Sequence, residues 1–230
     1  MTTFGAINLA AHLFHLSQFN SLRKPTTVIR LLSGMASLPK RIKLGSDDAS
    51  ESTEPIIFFS RSRYPYCQLS NFYEVDIEMA EGVFPSVEHY FQGMKFIPED
   101  RKRFMKDGDF DKEKDSKAAN ANVKTAKGRL AKSAGSKSGS AKFKLTLAAD
   151  GLDQEVAKNR MKRALVKKFE KEPFKNILLE TGKRKLIHIP SRGKTDFWTG
   201  RWDKKTGAIV GENTMGKLLM EVRDAMLEVQ

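Results

Sequence analysis

The chain lacks the residues on which several classes of protein depend. Its 230 residues contain one cysteine, Cys67, so neither an internal disulfide nor a cysteine-based zinc cluster can form. Two of its four histidines, His12 and His15, lie near the amino terminus, so no histidine metal site is predicted. No stretch reaches the roughly 18 consecutive apolar residues of a transmembrane helix. Disulfide-scaffold and membrane-spanning proteins are therefore excluded, and no membrane partner is expected.

Motifs of the common nucleotide-binding enzymes are also missing. The sequence contains no GxGxxG, and Gly193-Lys194-Thr195 lacks the earlier glycine that a P-loop requires. It contains neither the GxSxG motif of serine hydrolases nor a protein-kinase signature.

Acidic residues are absent from two segments of this basic chain. The formal net charge is +13, yet residues 1–46 carry six Lys and Arg and no acid. Residues 116–144 carry eight more, again without an acid, so the rest of the chain sums to −1. The positive charge is therefore a property of two local segments rather than of the whole protein.

The first basic segment resembles a mitochondrial transit peptide. It contains no acid and several serines, and Leu9, Leu13 and Leu16 recur at helical spacing. A polar, acidic run over 46–55 has little to bury and is typical of a linker. We therefore predict a leader and linker over 1–54, a single folded domain over 55–230 and a mitochondrial location. The alternative is an extension without an address, which leaves a cytoplasmic or nuclear protein.

The second basic segment is predicted to form one helix, ended by a flexible loop over the Ser- and Gly-rich run 133–140. Its lysines either form a solvated surface or steer a polyphosphate or nucleic-acid ligand.

The remaining pattern mixes short strands with helices. Apolar or alternating runs predict strands at 56–59, 74–79 and 186–189, and a turn at Glu81-Gly82 precedes a further strand. Helical spacing predicts helices after Ser86, over 153–171 and 174–180, and after a capping Asn213. Because the elements follow no βαβ rhythm, the predicted fold is α+β, with helices around a small sheet.

One predicted helix carries a candidate catalytic group. Glu88 and Lys95 are seven residues apart, so they share one edge of the helix with Gln92 between them. A desolvated lysine there becomes a nucleophile towards a carbonyl or an anomeric carbon, and a glutamate can transfer a proton. The alternative is an ordinary solvated helix edge.

Two polar-aromatic clusters, at 61–73 and 196–203, are candidate binding regions. Aromatic rings and arginines together can stack a base and grip phosphates. Structural burial is the alternative for each cluster.

Several long motifs resemble those of the NADAR family, also called YbiA-like. The resemblance is carried by LSNFY at 69–73, FPSVEHYFQGMKF at 84–96, DFW at 196–198 and GENTMGKLLMEVR at 211–223. These motifs occur in order and extend over about residues 56–229.

The resemblance implies an α+β N-glycosidase that cleaves a bond between a sugar C1 and a nitrogen without a metal or organic cofactor. It implies that Glu88 and Lys95 are catalytic, with Glu88 opening the furanose by proton transfer and Lys95 forming a Schiff base. The residues expected to contact the substrate are Arg61, Ser70, Asn71, Phe72, His89, Gln92, Asp196, Trp198, Arg201 and Trp202.

Three functions follow from this resemblance. The first is removal of ADP-ribose from guanine in DNA, nucleosides or nucleotides, by an enzyme expected to be monomeric. The second is cleavage of phosphorylated ribosylamino-pyrimidine intermediates of riboflavin synthesis. The third is a non-catalytic module that binds ADP-ribose or nucleic acid. The chain departs from the family pattern at Thr199, where glycine is usual, and at His188, where many members carry an acid.

Overall fold

The computed structural model describes residues 53–59, 62, 65–112, 126–190 and 193–228. Almost all of the predicted leader and linker therefore lies outside the described residues. The described strands are β1 (Ile56–Phe58), β2 (Ile77–Met79), β3 (Gly82–Phe84), β4 (Leu186–His188), β5 (Arg201–Asp203) and β6 (Ala208–Val210). The helices are α1 (Val87–Gly93), α2 (Pro98–Arg101), α3 (Ala126–Ala134), α4 (Lys137–Lys142), α5 (Gln154–Phe169), α6 (Phe174–Leu179) and α7 (Thr214–Glu228), with 3-10 turns at Tyr66–Leu69 and Lys102–Phe104.

The strands pair in three separate two-stranded sheets within the described residues. Strand β1 pairs parallel with β4, with Ile56 opposite Leu186. Strands β2 and β3 form an antiparallel hairpin, and β5 and β6 form another. The predicted α+β fold is confirmed, although its strand pairing is divided among three ladders instead of one small sheet. Because each strand has only three residues, the helices supply most of the buried apolar surface.

The core is built from the apolar stripes that the sequence predicts. Helix α1 contributes Val87, Tyr90 and Phe91, and α5 contributes Met161, Leu165 and Phe169, all of them buried. Helix α7 adds Met215, Leu218, Leu219 and Val222 to the same cluster. Among the described residues no helix is both long and apolar enough to cross a membrane.

The start of α1 follows from its cap. The Ser86 hydroxyl oxygen accepts a hydrogen bond from the backbone N–H of His89, as the sequence predicts. Every residue of α1 is buried, including Glu88 and Gln92. The interpretation of this helix edge as an ordinary solvated surface is therefore wrong for these two side chains.

Asn213 does not use its side chain as a helix cap. The side-chain oxygen of Asn213 accepts from the backbone N–H of His188 at 3.0 Å, and its Nδ2 donates to the carbonyl of Leu186 at 2.9 Å. The side chain therefore ties the start of α7 to β4.

The prediction of a flexible loop over 133–140 is wrong. Helix α3 continues to Ala134, and α4 begins within the run after Ser136, whose hydroxyl oxygen accepts from the N–H of Gly139 at 3.1 Å. A Cβ atom at Gly139 would lie 1.8 Å from the carbonyl oxygen of Ser133, and one at Gly135 would lie 2.1 Å from Oε1 of Gln92. These glycines therefore allow close packing rather than flexibility.

Candidate active site

A cavity of about 480 Å³ lies beside α1. Its walls include Asn71 and Phe72 from the loop before β2, the inner face of α1, Lys132 of α3 and the loop over 196–199. This volume falls in the range of roughly 300–1,000 Å³ that small-molecule sites occupy.

A chain of hydrogen bonds joins the two candidate catalytic groups. Nδ2 of Asn71 donates to Oε2 of Glu88, and Nε2 of Gln92 donates to Oε1 of Glu88 at 2.7 Å. Nζ of Lys95 donates to Oε1 of Gln92 at 2.7 Å. A single amide therefore fixes the position of both the carboxyl and the amine.

Glu88 is prepared to hold a proton. Its side chain is 3% exposed, and this burial raises the pKa of the carboxyl because desolvation disfavours the charged form. The charge of Lys132 opposes the shift, as do the hydrogen bonds from Gln92 and Asn71 and the charge of Lys95. Burial is the larger effect, so the carboxyl keeps its proton at a higher pH than an exposed glutamate does.

Lys95 is shifted in the opposite direction. Burial lowers the pKa of its ammonium group, the charge of Glu88 opposes this change and the charge of Lys132 adds to it. Nζ lies 5.2 Å from the centre of the Phe91 ring and donates to the carbonyl oxygen of Gly135 at 3.3 Å. The lowered pKa increases the fraction of neutral amine, which is the nucleophilic form.

The loop over 196–199 forms another part of the wall. Oδ1 of Asp196 accepts from the backbone N–H of Trp198 at 3.0 Å and from the hydroxyl of Thr199 at 2.7 Å. The Trp198 ring packs edge-on against Phe91 and Phe197, with ring centres 5.2 and 5.0 Å apart. Thr199, where the family pattern usually has glycine, thus helps to hold the Asp196 carboxylate.

His188 also lines the cavity, from the end of β4. Its ring stacks on Phe58 with the ring centres 5.2 Å apart. Burial lowers the pKa of His188 to about 4, against the opposing effects of the Trp198 backbone and the Asp196 charge. A neutral imidazole therefore occupies the position where the resemblance suggests an acid.

Four predicted substrate-binding residues lie outside the cavity wall. Ser70 is fully buried, and its hydroxyl oxygen accepts from the N–H of Phe72. His89 is also fully buried, and its ring is bonded to the Ser86 hydroxyl and the Phe110 carbonyl.

The other two of these residues lie on β5. Arg201 is exposed and donates to the carbonyl of Gly193 at 3.1 Å, and the Trp202 ring lies beneath Nζ of Lys185. Arg61 lies outside the described residues. The predicted residues Asn71, Phe72, Glu88, Gln92, Lys95, Asp196 and Trp198 all line the cavity.

Several wall residues are not among the predicted site residues, and one of them, Lys132, belongs to the basic segment whose lysines were predicted either to form a solvated surface or to steer a ligand. It is exposed, and its Nζ lies 5.5 Å from the centre of the Phe72 ring. Leu152 is 72% exposed at the rim, next to Gly151, where a Cβ would lie 2.1 Å from the carbonyl oxygen of Lys95. The basic composition of α3 was a signal for Lys132, whereas no pattern in the sequence identified Gly151 or Leu152.

Comparison with known proteins identifies the family. A family model described as the NADAR domain matches residues 57–227. The chain belongs to the NADAR domain family. The NMR structure of the E. coli protein YbiA is similar in fold, with a TM-score of 0.50 and 24% sequence identity, covering 77% of this chain and 87% of YbiA.

No curated protein matches the sequence. The matches to the family model and to YbiA confirm the resemblance seen in the sequence motifs at the level of family and fold. The NADAR family is associated with N-glycosidase activity.

Proposed function

We propose that this NADAR domain hydrolyses the N-glycosidic bond between ADP-ribose and guanine. The observation that carries the proposal is the Glu88–Gln92–Lys95 chain, in which a buried carboxyl and a partly buried amine share one amide at 2.7 Å on each side. Their pKa values are shifted towards each other, which favours a protonated acid and a neutral nucleophile in the same molecule.

The first step opens the ribose ring. The protonated Glu88 carboxyl gives its proton to the ring oxygen, and the bond between C1 and that oxygen breaks. The lone pair of the guanine nitrogen forms a C=N⁺ bond to C1, which leaves Glu88 as a carboxylate. Gln92 and Asn71 stabilise this carboxylate, because each donates a hydrogen bond to one of its oxygens.

The second step transfers the sugar to Lys95. The neutral amine attacks C1, and one proton of the resulting Lys95 ammonium passes through the Glu88 carboxylate to the guanine nitrogen. The bond from C1 to guanine then breaks, neutral guanine leaves, and the sugar remains as a Schiff base on Lys95. Water adds to C1 and the amine departs, which releases an aldehyde that closes to ADP-ribose and restores Glu88 and Lys95.

The remaining wall residues bind the substrate in this proposal. The Trp198 ring stacks on the base or the ribose, and the Asp196 carboxylate, which Thr199 orients, accepts hydrogen bonds from ribose hydroxyls. Lys132 lies on the cavity wall and is exposed, so its ammonium group can meet the pyrophosphate.

The surface of α3 and α4 favours a phosphate-rich substrate over a small metabolite. Arg129, Lys132, Lys137 and Lys142 are exposed there, and no acid interrupts them along 126–142. Such a surface attracts a polyanion over a distance of about one Debye length, and the attraction weakens as salt increases.

The test compares two substrates under identical conditions. Wild-type protein is incubated with guanine-ADP-ribosylated DNA and with a phosphorylated ribosylamino-pyrimidine, alongside the Glu88→Gln and Lys95→Arg variants. We expect free ADP-ribose from the DNA with wild type and a loss of about 100-fold or more in each variant. Turnover of the pyrimidine alone would replace the proposal with the riboflavin-type reaction. Binding without turnover of either substrate would indicate a non-catalytic module.

A further inference from the structure

Lys168 of α5 is a fully buried lysine that lies outside the cavity wall. Its side chain is 0% exposed, and Nζ lies 5.8, 5.2 and 5.4 Å from the ring centres of Tyr73, Phe169 and Phe174. Nζ donates a hydrogen bond of 2.6 Å to the carbonyl oxygen of Ser70. Burial lowers the pKa of Lys168 to about 7, with the buried Cys67 thiol as the opposing group.

Fold stability alone gives a poor account of this lysine. An ammonium group without a carboxylate partner is costly to bury, and an apolar side chain of similar volume at such a site is often neutral or stabilising. Contacts with the three rings partly offset this cost. The contact of Lys168 that reaches the polypeptide backbone is the hydrogen bond to Ser70.

The hydrogen bond from Lys168 to Ser70 is linked to the Glu88 carboxyl through the next residue in the chain, Asn71. Ser70 precedes Asn71, whose backbone oxygen accepts from the N–H of Glu88 at 2.9 Å. The side chain of Asn71 donates to Oε2 of Glu88. The loop that Lys168 holds therefore contacts Glu88 through both its backbone and a side chain.

We infer that Lys168 is a positioning residue for the active site: through the Ser70 carbonyl it fixes the loop that carries Asn71, and so fixes the hydrogen bond from Asn71 to Glu88. The expected effect of Lys168 on turnover rests on the proposed function, whereas its expected effect on the hydrogen bond and the pKa of Glu88 does not. Lys168 acts across 98 residues of sequence, and it is not itself among the residues that line the cavity.

The test measures the ionisation of Glu88 directly. The pKa of Glu88 is read by carbon-13 NMR of glutamate-labelled protein, with the signal assigned by its loss in Glu88→Gln. Asn71 favours the charged carboxyl, so a looser Asn71 contact raises the pKa of Glu88. We expect Lys168→Met to raise that pKa by about 0.5 or more and to lower kcat about tenfold with little change in KM.

A matched control lies three residues away. Nζ of Lys171 donates to the carbonyl of Asp76 at 2.8 Å and to Oε1 of Glu78 at 3.0 Å, so it also anchors a backbone oxygen, but next to β2 and away from the Ser70–Asn71 end of the loop. Lys171→Met is expected to leave the pKa of Glu88 and kcat unchanged. In an Asn71→Ala background, Lys168→Met should have little further effect on either quantity, because the side-chain hydrogen bond through which Lys168 is inferred to act on the Glu88 carboxyl is already missing.

Each outcome decides the inference separately from the proposed function. A raised Glu88 pKa in Lys168→Met but not in Lys171→Met supports positioning, even if ADP-ribosylated guanine is not cleaved. An unchanged Glu88 pKa, or full additivity with Asn71→Ala, overturns it even if that substrate is cleaved. Should Lys168→Met fail to fold, Lys168→Gln, which keeps a polar amide near Ser70, carries the same comparison, and an intermediate shift is expected.

Discussion

Gly135 is the most direct structural test of the Glu88–Gln92–Lys95 chain. A Cβ atom at this position would lie 2.1 Å from Oε1 of Gln92, 2.8 Å from its Cδ and 3.0 Å from its Cβ. To restore van der Waals contact, the amide of Gln92 must move by more than about 1 Å, because ordinary contacts of a Cβ begin near 3.4 Å. Gly135 is not among the residues with positive φ, so the effect of Gly135→Ala is steric.

The displacement breaks two contacts at once. Gln92 holds Glu88 and Lys95 through hydrogen bonds of 2.7 Å each. A misplacement of about 1 Å in a catalytic group can cost 100-fold, so Gly135→Ala is expected to lower kcat about 100-fold. The assay is steady-state release of ADP-ribose, with circular dichroism to confirm that the variant folds.

The double variant provides the control. Gln92→Ala removes the amide that an alanine at position 135 would strike and leaves only the 3.0 Å contact with Cβ, so Gly135→Ala should have much less effect in that background. Ser133→Ala, near the end of α3 and two residues before Gly135, should keep near wild-type activity. Wild-type kcat in Gly135→Ala, or losses that multiply in the double variant, would refute the proposed packing of this amide.

The pH–rate profile should have its acid limb above 4.5 and its alkaline limb below 10.5, because burial raises the pKa of Glu88 and lowers that of Lys95. Lys132→Met should move both limbs to higher pH, since the charge of Lys132 lowers both pKa values; a shift to lower pH would contradict this. His89, whose pKa burial lowers from 6.5 to about 4, should contribute about 3 kcal/mol of stability that is present above pH 6.5 and lost as pH falls towards 4. Urea unfolding at pH 7 and pH 4 should therefore show a smaller difference in His89→Asn than in wild type. A reporter fused to residues 1–46 should enter mitochondria, and a diffuse cytosolic signal would reject the predicted address.

Local pattern was sufficient to predict α1 and the edge that Glu88 and Lys95 share. Ser86 is a short-range cap, and the stripe of Val87, Tyr90 and Phe91 repeats at the helical period, so neighbouring residues alone determine this element. The spacing of Glu88 and Lys95 follows from the same period. The cavity that makes them useful does not, because it requires segments distant in sequence.

The missed features depend on contacts between distant residues. Gly135 and Gly139 lie in a Ser- and Gly-rich run, a composition that predicts a flexible linker. In the structure their small size is instead required by close contacts with Gln92 and Ser133. The carbonyl of Asn213 accepts from the N–H of Lys217 in α7, whereas its side chain bonds to a strand 25 residues earlier. The hydrogen bond from Lys168 to Ser70 joins residues 98 apart in sequence, and the spacing of residues within one helix or strand does not predict such a contact.

The most direct test of the account is reductive trapping of the covalent intermediate. Wild-type protein turning over guanine-ADP-ribosylated DNA is treated with borohydride, and the modified peptide is located by mass spectrometry. The account predicts an ADP-ribosyl adduct on Lys95. The adduct should be absent in Lys95→Arg and should still be found on Lys95 in Lys132→Met. Full turnover without an adduct, or an adduct on a different lysine, would contradict the assignment of Lys95 as the nucleophile.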